Sequence, residues 1–245
     1  MSQEPGQLAS RGRLFVVATP IGNLDDLTFR AVETLRAVPI VAAEDTRRVA
    51  KLLARYECRP RVISLHSHNL AQRLPQLLAL LVGGQDLAVV SDAGTPAVSD
   101  PGSELVARAW AAGVAVVPIP GVSAVPTVLS VAGFPAERFV FAGFVPKKPG
   151  QRGRYWDWID ACAETAVLFE TPHRIARTLD EMAGRWPGRL ACLGRELTKM
   201  HEELIRGTLA EIAASTRDRQ WRGEISIALE PFRETQRGRE TESYV

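Results

Sequence analysis

Short apolar runs alternate with amphipathic stretches along most of the chain. Residues 14–18 (LFVVA), 40–43, 62–65, 87–90 and 114–117 are each short enough for a buried strand. Between them lie segments with helical spacing. Residues 27–38 place Leu27, Ala31, Thr34, Leu35 and Val38 on one face, and further helices are expected at 46–56, 69–82 and 101–112. Asp45 stands where an N-cap would precede the helix at 46. Strand–helix alternation of this kind predicts a mostly parallel sheet with helices on its faces.

The second half keeps the alternation but changes its character. Strands are expected at 139–145, 166–169, 190–193 and 225–229, with helices at 155–162, 175–186 and 209–215. Residues 203–208 (ELIRGT) alternate enough to add a strand directly after another, so this half reads as a mixed sheet. By composition alone, PKKPGQRGR at 146–154 looks like a linker. The polar ends, 1–12 and 233–245, read as disordered tails. No internal repeat is present.

In parallel sheets of this type ligands sit outside the carboxyl ends of the strands, so the loops leaving strands carry the chemistry. Four of them turn polar at once: Thr19 to Asn23, Glu44 to Thr46, His66 to Asn69, and SDAGTPAVSDPGSE at 91–104. In the last, Gly94 and Gly102 permit positive φ and close approach, while Pro96 and Pro101 stiffen the segment. Asp100 is placed either to cap the next helix or to meet a ligand. Asp92 stands at the strand exit, and Ala93, Gly94 and Thr95 offer nearly bare backbone. A GxGxxG after the first strand, a GxxxxGK[ST], an HExxH and a GxSxG are all missing.

Composition narrows the picture. The chain has 245 residues, 46% hydrophobic and 24% charged, enough for a sizeable core. Its three cysteines, Cys58, Cys162 and Cys192, are far apart and lack metal-ligand spacing, which predicts free thiols in a reducing compartment and no metal site. The N-terminal residues contain no apolar block, and prolines interrupt the most apolar stretch at 113–134. A cytoplasmic protein is expected. The net charge of +2 does not announce a nucleic-acid binder, but local clusters stand out. Arg47, Lys51 and Arg55 recur every four residues, with Arg48 beside them. Lys147, Lys148, Arg152 and Arg154 crowd together. Each cluster is either a solvated surface or a phosphate contact.

At this point the residues carry a resemblance. SDAGTPAVSDPG resembles the signature of the ribosomal RNA small subunit methyltransferase I family, within the tetrapyrrole methylase superfamily. VVATPIGNLDDLTFRAVETL, AAEDTR, HSHN, PIPGVSA, GFVPKK, FETPHR and GRELTKMHEE follow in that family's order, covering about residues 14–232. The resemblance implies two α/β domains of the class III methyltransferase type, 13–118 and 119–232, with S-adenosylmethionine in the cleft between them. It implies 2′-O-methylation of a cytidine ribose in the decoding centre of 16S ribosomal RNA, in the small subunit, by a homodimer.

Matched by motif, the resemblance implies cofactor contacts at Pro20, Asp92, Ala93, Gly94, Thr95, Val98, Ser123 and Ala124, and from the second domain at Phe169, Leu197, Glu224 and Ile225. Thr95 stands where the superfamily carries an aspartate, which implies rearranged hydrogen bonding. A weakly acidic ribose hydroxyl favours a nearby base. Glu44, Asp92 and His66 are candidates, with Asp45 and His68 close by. Arg47, Arg48, Lys51, Lys147, Lys148, Arg152 and Arg154 are the RNA-binding candidates. Family members commonly continue into a small helical extension where this sequence reads ETQRGRETESYV, which implies a different grip on RNA. Two other readings remain: a tetrapyrrole methyltransferase of the same fold, and a ribosome-assembly factor that binds RNA without catalysis.

Overall fold

In the computed structural model, which describes residues 11–98, 100 and 102–232, the first five apolar runs become one parallel sheet. Its strands are β1 (Arg13–Val17), β2 (Ile40–Ala43), β3 (Arg61–Ser64), β4 (Leu87–Val90) and β5 (Ala115–Ile119), in the order β3-β2-β4-β1-β5. Four helices connect them: α1 (Phe29–Ala37), α2 (Thr46–Arg55), α3 (Leu70–Val82) and α4 (Gly102–Ala111). The period of two along each strand decides which helices it meets. Val17, Val41, Ala43, Ala88 and Val90 pack with α1 and α2, whereas Leu14, Ile40, Ala42, Leu87 and Val89 pack with α3 and α4. Both faces are therefore covered, which is why β2 and β4 are wholly buried and read as unbroken apolar runs.

Strand order locates the crevice. From β2 the chain moves outward to β3, and from its neighbour β4 it moves the other way to β5. Ligand sites of open α/β sheets lie at such a switch point. The expected caps form there: the Asp45 side chain accepts from Arg47 N, and Asp100 Oδ1 accepts from Gly102 N at 2.7 Å. Pro101, expected to open that helix, lies outside the described residues.

The chain divides into two compact units, one ending at Ser123 and the other beginning at Ala124. The resemblance implied a division at 118/119, but β5 runs on to Ile119. The expected tails at 1–10 and 233–245 lie outside the described residues. Residues 11 and 12 do not behave as tail: Gly12 N donates to Leu81 O at 2.8 Å and Arg11 Nη1 to Gly113 O at 3.3 Å.

The second unit holds a mixed sheet of β6 (Phe139–Phe144), β7 (Thr165–Glu170), β8 (Leu190–Arg195), β9 (Glu203–Thr208) and β10 (Ile225–Leu229), in the order β6-β7-β10-β8-β9. Only the β6–β7 pair is parallel. One face packs Leu168, Leu193, Ile227 and Leu229 against α6 (Pro149–Ala161), α7 (Ile175–Arg185) and α8 (Leu209–Ser215). A further helix, α5 (Ala124–Ala132), packs against β8 and β10. It covers the opposite face, because Arg206, paired with Cys192, donates from Nε to Ala132 O at 2.8 Å. The sequence did not announce α5. Its run is apolar almost all round, and Pro126 masks the period, although a proline in a first turn removes only a donor that has no helical partner. All three cysteines are free and buried, and burial pushes each thiol pKa up.

Two expectations about PKKPGQRGR are corrected here. The segment is no linker, since Pro149 opens α6 with Lys148 as its N-cap, six residues before the predicted helix start at 155. Nor is Arg152 an RNA contact. It is 4% exposed and shares the inward stripe of α6 with Trp156 and Ile159. Its Nε and Nη2 donate to Glu181 Oε2 at 2.9 and 2.6 Å, Nη2 also to Thr178 Oγ1, and Nη1 to Pro146 O. Nearby Glu170, 2% exposed, accepts from Thr178 Oγ1 at 2.8 Å and pairs with Arg174. An arginine in a helix stripe reads as solvated until the facing helix supplies its carboxylate. Losing Arg152 leaves Glu181 with Arg177 and Trp156, and Glu170 with Arg174. Arg152→Ala is therefore expected to cost about 1–3 kcal/mol of stability in chemical denaturation, the worth of hydrogen bonds to a charged group.

Candidate functional site

Loops alone must join the exits of β1, β4 and β5, and they do so through backbone and small side chains. Thr19 N donates to Gly94 O and Gly94 N to Thr19 O, both at 2.9 Å. The buried Thr19 hydroxyl donates to Ser91 O at 3.1 Å, and Ser91 Oγ to Gly94 O at 3.0 Å. Gly94 has φ +77°, and a side chain there would start 3.4 Å from Ile21 Cγ2 and 3.8 Å from Ser123 Cα. Only glycine adopts that conformation without strain. Thr95 Oγ1 donates to Val122 O at 3.4 Å, so the hydroxyl proton that replaced a carboxylate is turned inward to the β5 exit.

These bonds bring Ala93, Gly94, Thr95 and Ser123 together beside the β1 exit. Pro20 is buried in that exit, Val98 is 42% exposed, and Ala124 opens α5.

The acidic candidates sort by what their oxygens touch. Asp92 Oδ1 accepts from Asp45 N at 2.8 Å across the β2–β4 crevice, and Oδ2 lies 3.8 Å from Arg48 Nε. Both oxygens have partners, so Asp92 is a clasp between two strand exits. Asp45 Oδ1 accepts from Arg47 N at 2.8 Å and Oδ2 from Arg47 Nη2 at 3.1 Å, which holds its carboxyl pKa at about 2. Glu44 behaves oppositely. Its pKa is raised, first by burial and then by the negative charges of Asp92 and Asp100, with His66 and Arg48 acting the other way.

His66 leaves β3, the strand next to β2, and its turn is fixed by Asn69, whose Oδ1 accepts from His66 N at 2.9 Å. Its ring meets His68 edge-on at 6.0 Å, and its buried Nδ1 has no hydrogen-bond partner. Arg47, Arg48 and Lys51 lie exposed on α2, whose inward stripe is Val49, Leu52 and Leu53.

In the second unit, Phe169, Leu197, Glu224 and Ile225 gather at one end of the sheet. Ile225 begins β10 and pairs with Glu170 of β7 and Arg195 of β8. Leu197 is folded back over Gly194, where a Cβ would lie 2.8 Å from its Cδ2. Phe169 takes the edges of Phe141 and Phe144. Glu196 locks this corner: its amide donates to Glu224 O, and its Oε1 accepts from Glu224 N, both at 2.9 Å. Lys199 Nζ reaches Glu196 Oε1 at 2.8 Å and Glu224 Oε2 at 3.0 Å. Glu196 and Thr198 have φ of +51° and +68°, a strain that no sequence pattern signalled. Lys147, Lys148 and Arg154 remain exposed, unlike Arg152.

Asp92→Asn retains an acceptor for Asp45 N while removing a negative charge near Glu44. The Glu44 carboxyl is expected to titrate at lower pH in this variant, as read by NMR, whereas an unchanged titration would remove the Asp92 charge from the causes.

Three comparisons place this geometry among known proteins. The profile of Tetrapyrrole (Corrin/Porphyrin) Methylases matches residues 13–213. A protein of Halalkalibacterium halodurans named Ribosomal RNA small subunit methyltransferase I is 43% identical over 91% of this chain and 78% of its own length. Proteins of the same name from Mesorhizobium japonicum and Neisseria meningitidis serogroup B are 50% and 47% identical, over 82% and 90% of this chain and 68% and 76% of theirs. Among solved structures, the fold matches a diphthine synthase at TM-score 0.69 and 16% identity, over 92% of each chain. It also matches the uroporphyrin-III-C-methyltransferase of Thermus thermophilus at TM-score 0.63 and 19% identity, over 89% of this chain and 94% of that one.

Proposed function

Because the chain belongs to the ribosomal RNA small subunit methyltransferase I family of tetrapyrrole methylases, we propose that it methylates 16S ribosomal RNA. The target is the 2′-hydroxyl of a cytidine ribose in the decoding centre, and the methyl donor is S-adenosylmethionine. The observation that carries the RNA reading is identity of 43–50% over most of the chain to proteins bearing that name. The same reading carries a homodimer and a cytoplasmic setting. Among the described residues, no helix is long and apolar enough to cross a membrane.

The residues suit such a donor. Bound S-adenosylmethionine supplies a methyl group already activated on a sulfonium. Ala93, Gly94 and Thr95 offer nearly bare backbone for close approach, and the paired Thr19–Gly94 bonds hold the loop's shape beforehand. Preorganisation of this kind lowers the cost of binding. In this reading Pro20, Val98 and Ser123 are the first unit's other contacts, and Ala124, Phe169, Leu197, Glu224 and Ile225 are the second's.

The ribose hydroxyl must lose its proton as its oxygen is methylated. Glu44 is the acceptor in this reading, because its raised pKa makes it a stronger base than an ordinary carboxylate. Asp45 is held too acidic for the task, and Asp92 is engaged on Asp45 N. Asp92 acts as a positioning residue that fixes the exit carrying Glu44. His66 lines the same edge. The exposed Arg47, Arg48, Lys51, Lys147, Lys148 and Arg154 contact phosphates.

Transfer is tested with labelled S-adenosylmethionine and small subunits lacking the modification, followed by mapping of the label. Label on a decoding-centre ribose supports the proposal, and transfer only to a tetrapyrrole sinks it. Glu44→Gln is expected to lower kcat by roughly 10²–10⁴-fold. The base must be ionised and its pKa is raised, so the wild-type rate falls as pH drops through a value above that of an ordinary glutamate. That acid limb should vanish in Glu44→Gln. Gly94→Trp should abolish cofactor binding in calorimetry, and undiminished affinity would remove the loop from the site.

A further inference from the structure

Phe29 is 92% exposed, although it opens a helix whose inward face is already complete with Ala31, Val32 and Leu35. Its position is fixed, because Thr28 caps α1 through Ala31 N at 3.2 Å. The core gains almost nothing from the ring.

Its neighbours carry both signs, with Asp25 in the preceding turn, Arg30 beside it and Glu33 one turn on, and the nearest helix adds a cationic row. The turn before α1 is fastened to α2: Tyr56 Oη donates to Leu24 O at 2.5 Å, and Arg55 pairs with Asp25 at 3.5 Å. The far end of α1 is fastened too, with Arg36 Nε and Nη2 donating to Tyr56 O at 3.1 and 3.0 Å. Phe29 and the exposed row Arg47, Lys51 and Arg55 thus belong to one helix layer on the same face of the parallel sheet. Arg30 is exposed beside the ring.

We propose that Phe29 stacks on an unpaired base of the RNA substrate while the α2 cations hold the flanking phosphates, an inference that rests on the RNA reading above. A protein partner would call for a wider apolar patch with a desolvated centre. In the turn before α1, Leu24, 38% exposed, adds to one. An exposed aromatic face in a helix layer that also carries a cationic row suits single-stranded nucleic acid, since every base presents a π face. Sequence-specific RNA recognition targets unpaired segments, whose bases are free to stack on aromatic side chains.

The test compares wild type, Phe29→Ala and Phe29→Trp in methyl transfer to purified small subunits lacking the modification. Phe29→Ala is expected to raise KM for the subunit roughly 5- to 100-fold, with the loss falling on KM more than on kcat, and Phe29→Trp to restore it. Stacking releases no counterions. The salt dependence of binding should therefore keep its slope in Phe29→Ala, whereas Lys51→Ala lowers that slope by about one. A wild-type KM in Phe29→Ala overturns the inference while leaving the RNA reading intact. So does a change confined to sedimentation, which would make a second copy the partner. A wild-type protein that methylates no RNA removes the RNA reading, and this inference with it.

Discussion

A parallel sheet delivers every strand exit to one edge, where the last amides and carbonyls of five strands have no ladder left to join. Buried backbone groups must be paired, so loops there have to satisfy one another. In the first unit they do so crosswise. Thr19 and Gly94 exchange two bonds, Ala18 N donates to Ile119 O, Leu65 N to Ala43 O, and Asp92 takes the amide of Asp45. The result is a rim whose members cannot shift singly. Gly94 follows from this constraint as much as from any ligand, because the loop that closes onto Thr19 needs a left-handed residue packed against the β5 exit.

The same constraint sorts the acids. Asp45 and Asp100 are occupied by amides at helix starts, and Asp92 by an amide across the crevice. Hydrogen bonds to a charged acceptor contribute about 1.5–3 kcal/mol, and each such bond favours the ionised form of its carboxylate. Burial first, and then the fixed charges of Asp92 and Asp100, raise the affinity of Glu44 for a proton. A basic carboxylate is thus a consequence of its burial and of where its neighbours hold their charges.

Much of this was legible in the sequence, because period and caps are local. The strands, the helix starts at Asp45 and Asp100, and the polar exits all follow from residues within a few positions of one another. Strand order was not legible, and without it Asp92 could be placed at a crevice but given no partner. The second unit was harder. Arg152 looks like surface until Glu181 and Thr178 arrive from another helix, and PKKPGQRGR looks like a linker because glycine and proline also tolerate a helix's first turns. Glu196 holds a left-handed conformation fastened by its paired bonds to Glu224, twenty-eight residues on. What escaped was, in each case, an interaction between distant segments.

The three cysteines acquire a practical meaning from where they lie. All are buried, and burial keeps each one in the unreactive thiol form, since the thiolate is the species that attacks alkylating or oxidising reagents. The native chain is in effect its own cysteine-light background. A single cysteine introduced on the exposed row of α2, for example by Lys51→Cys, would be the fastest-reacting sulfur in the folded molecule. A cross-linker or spectroscopic label could then be addressed to that face without removing any residue the core uses.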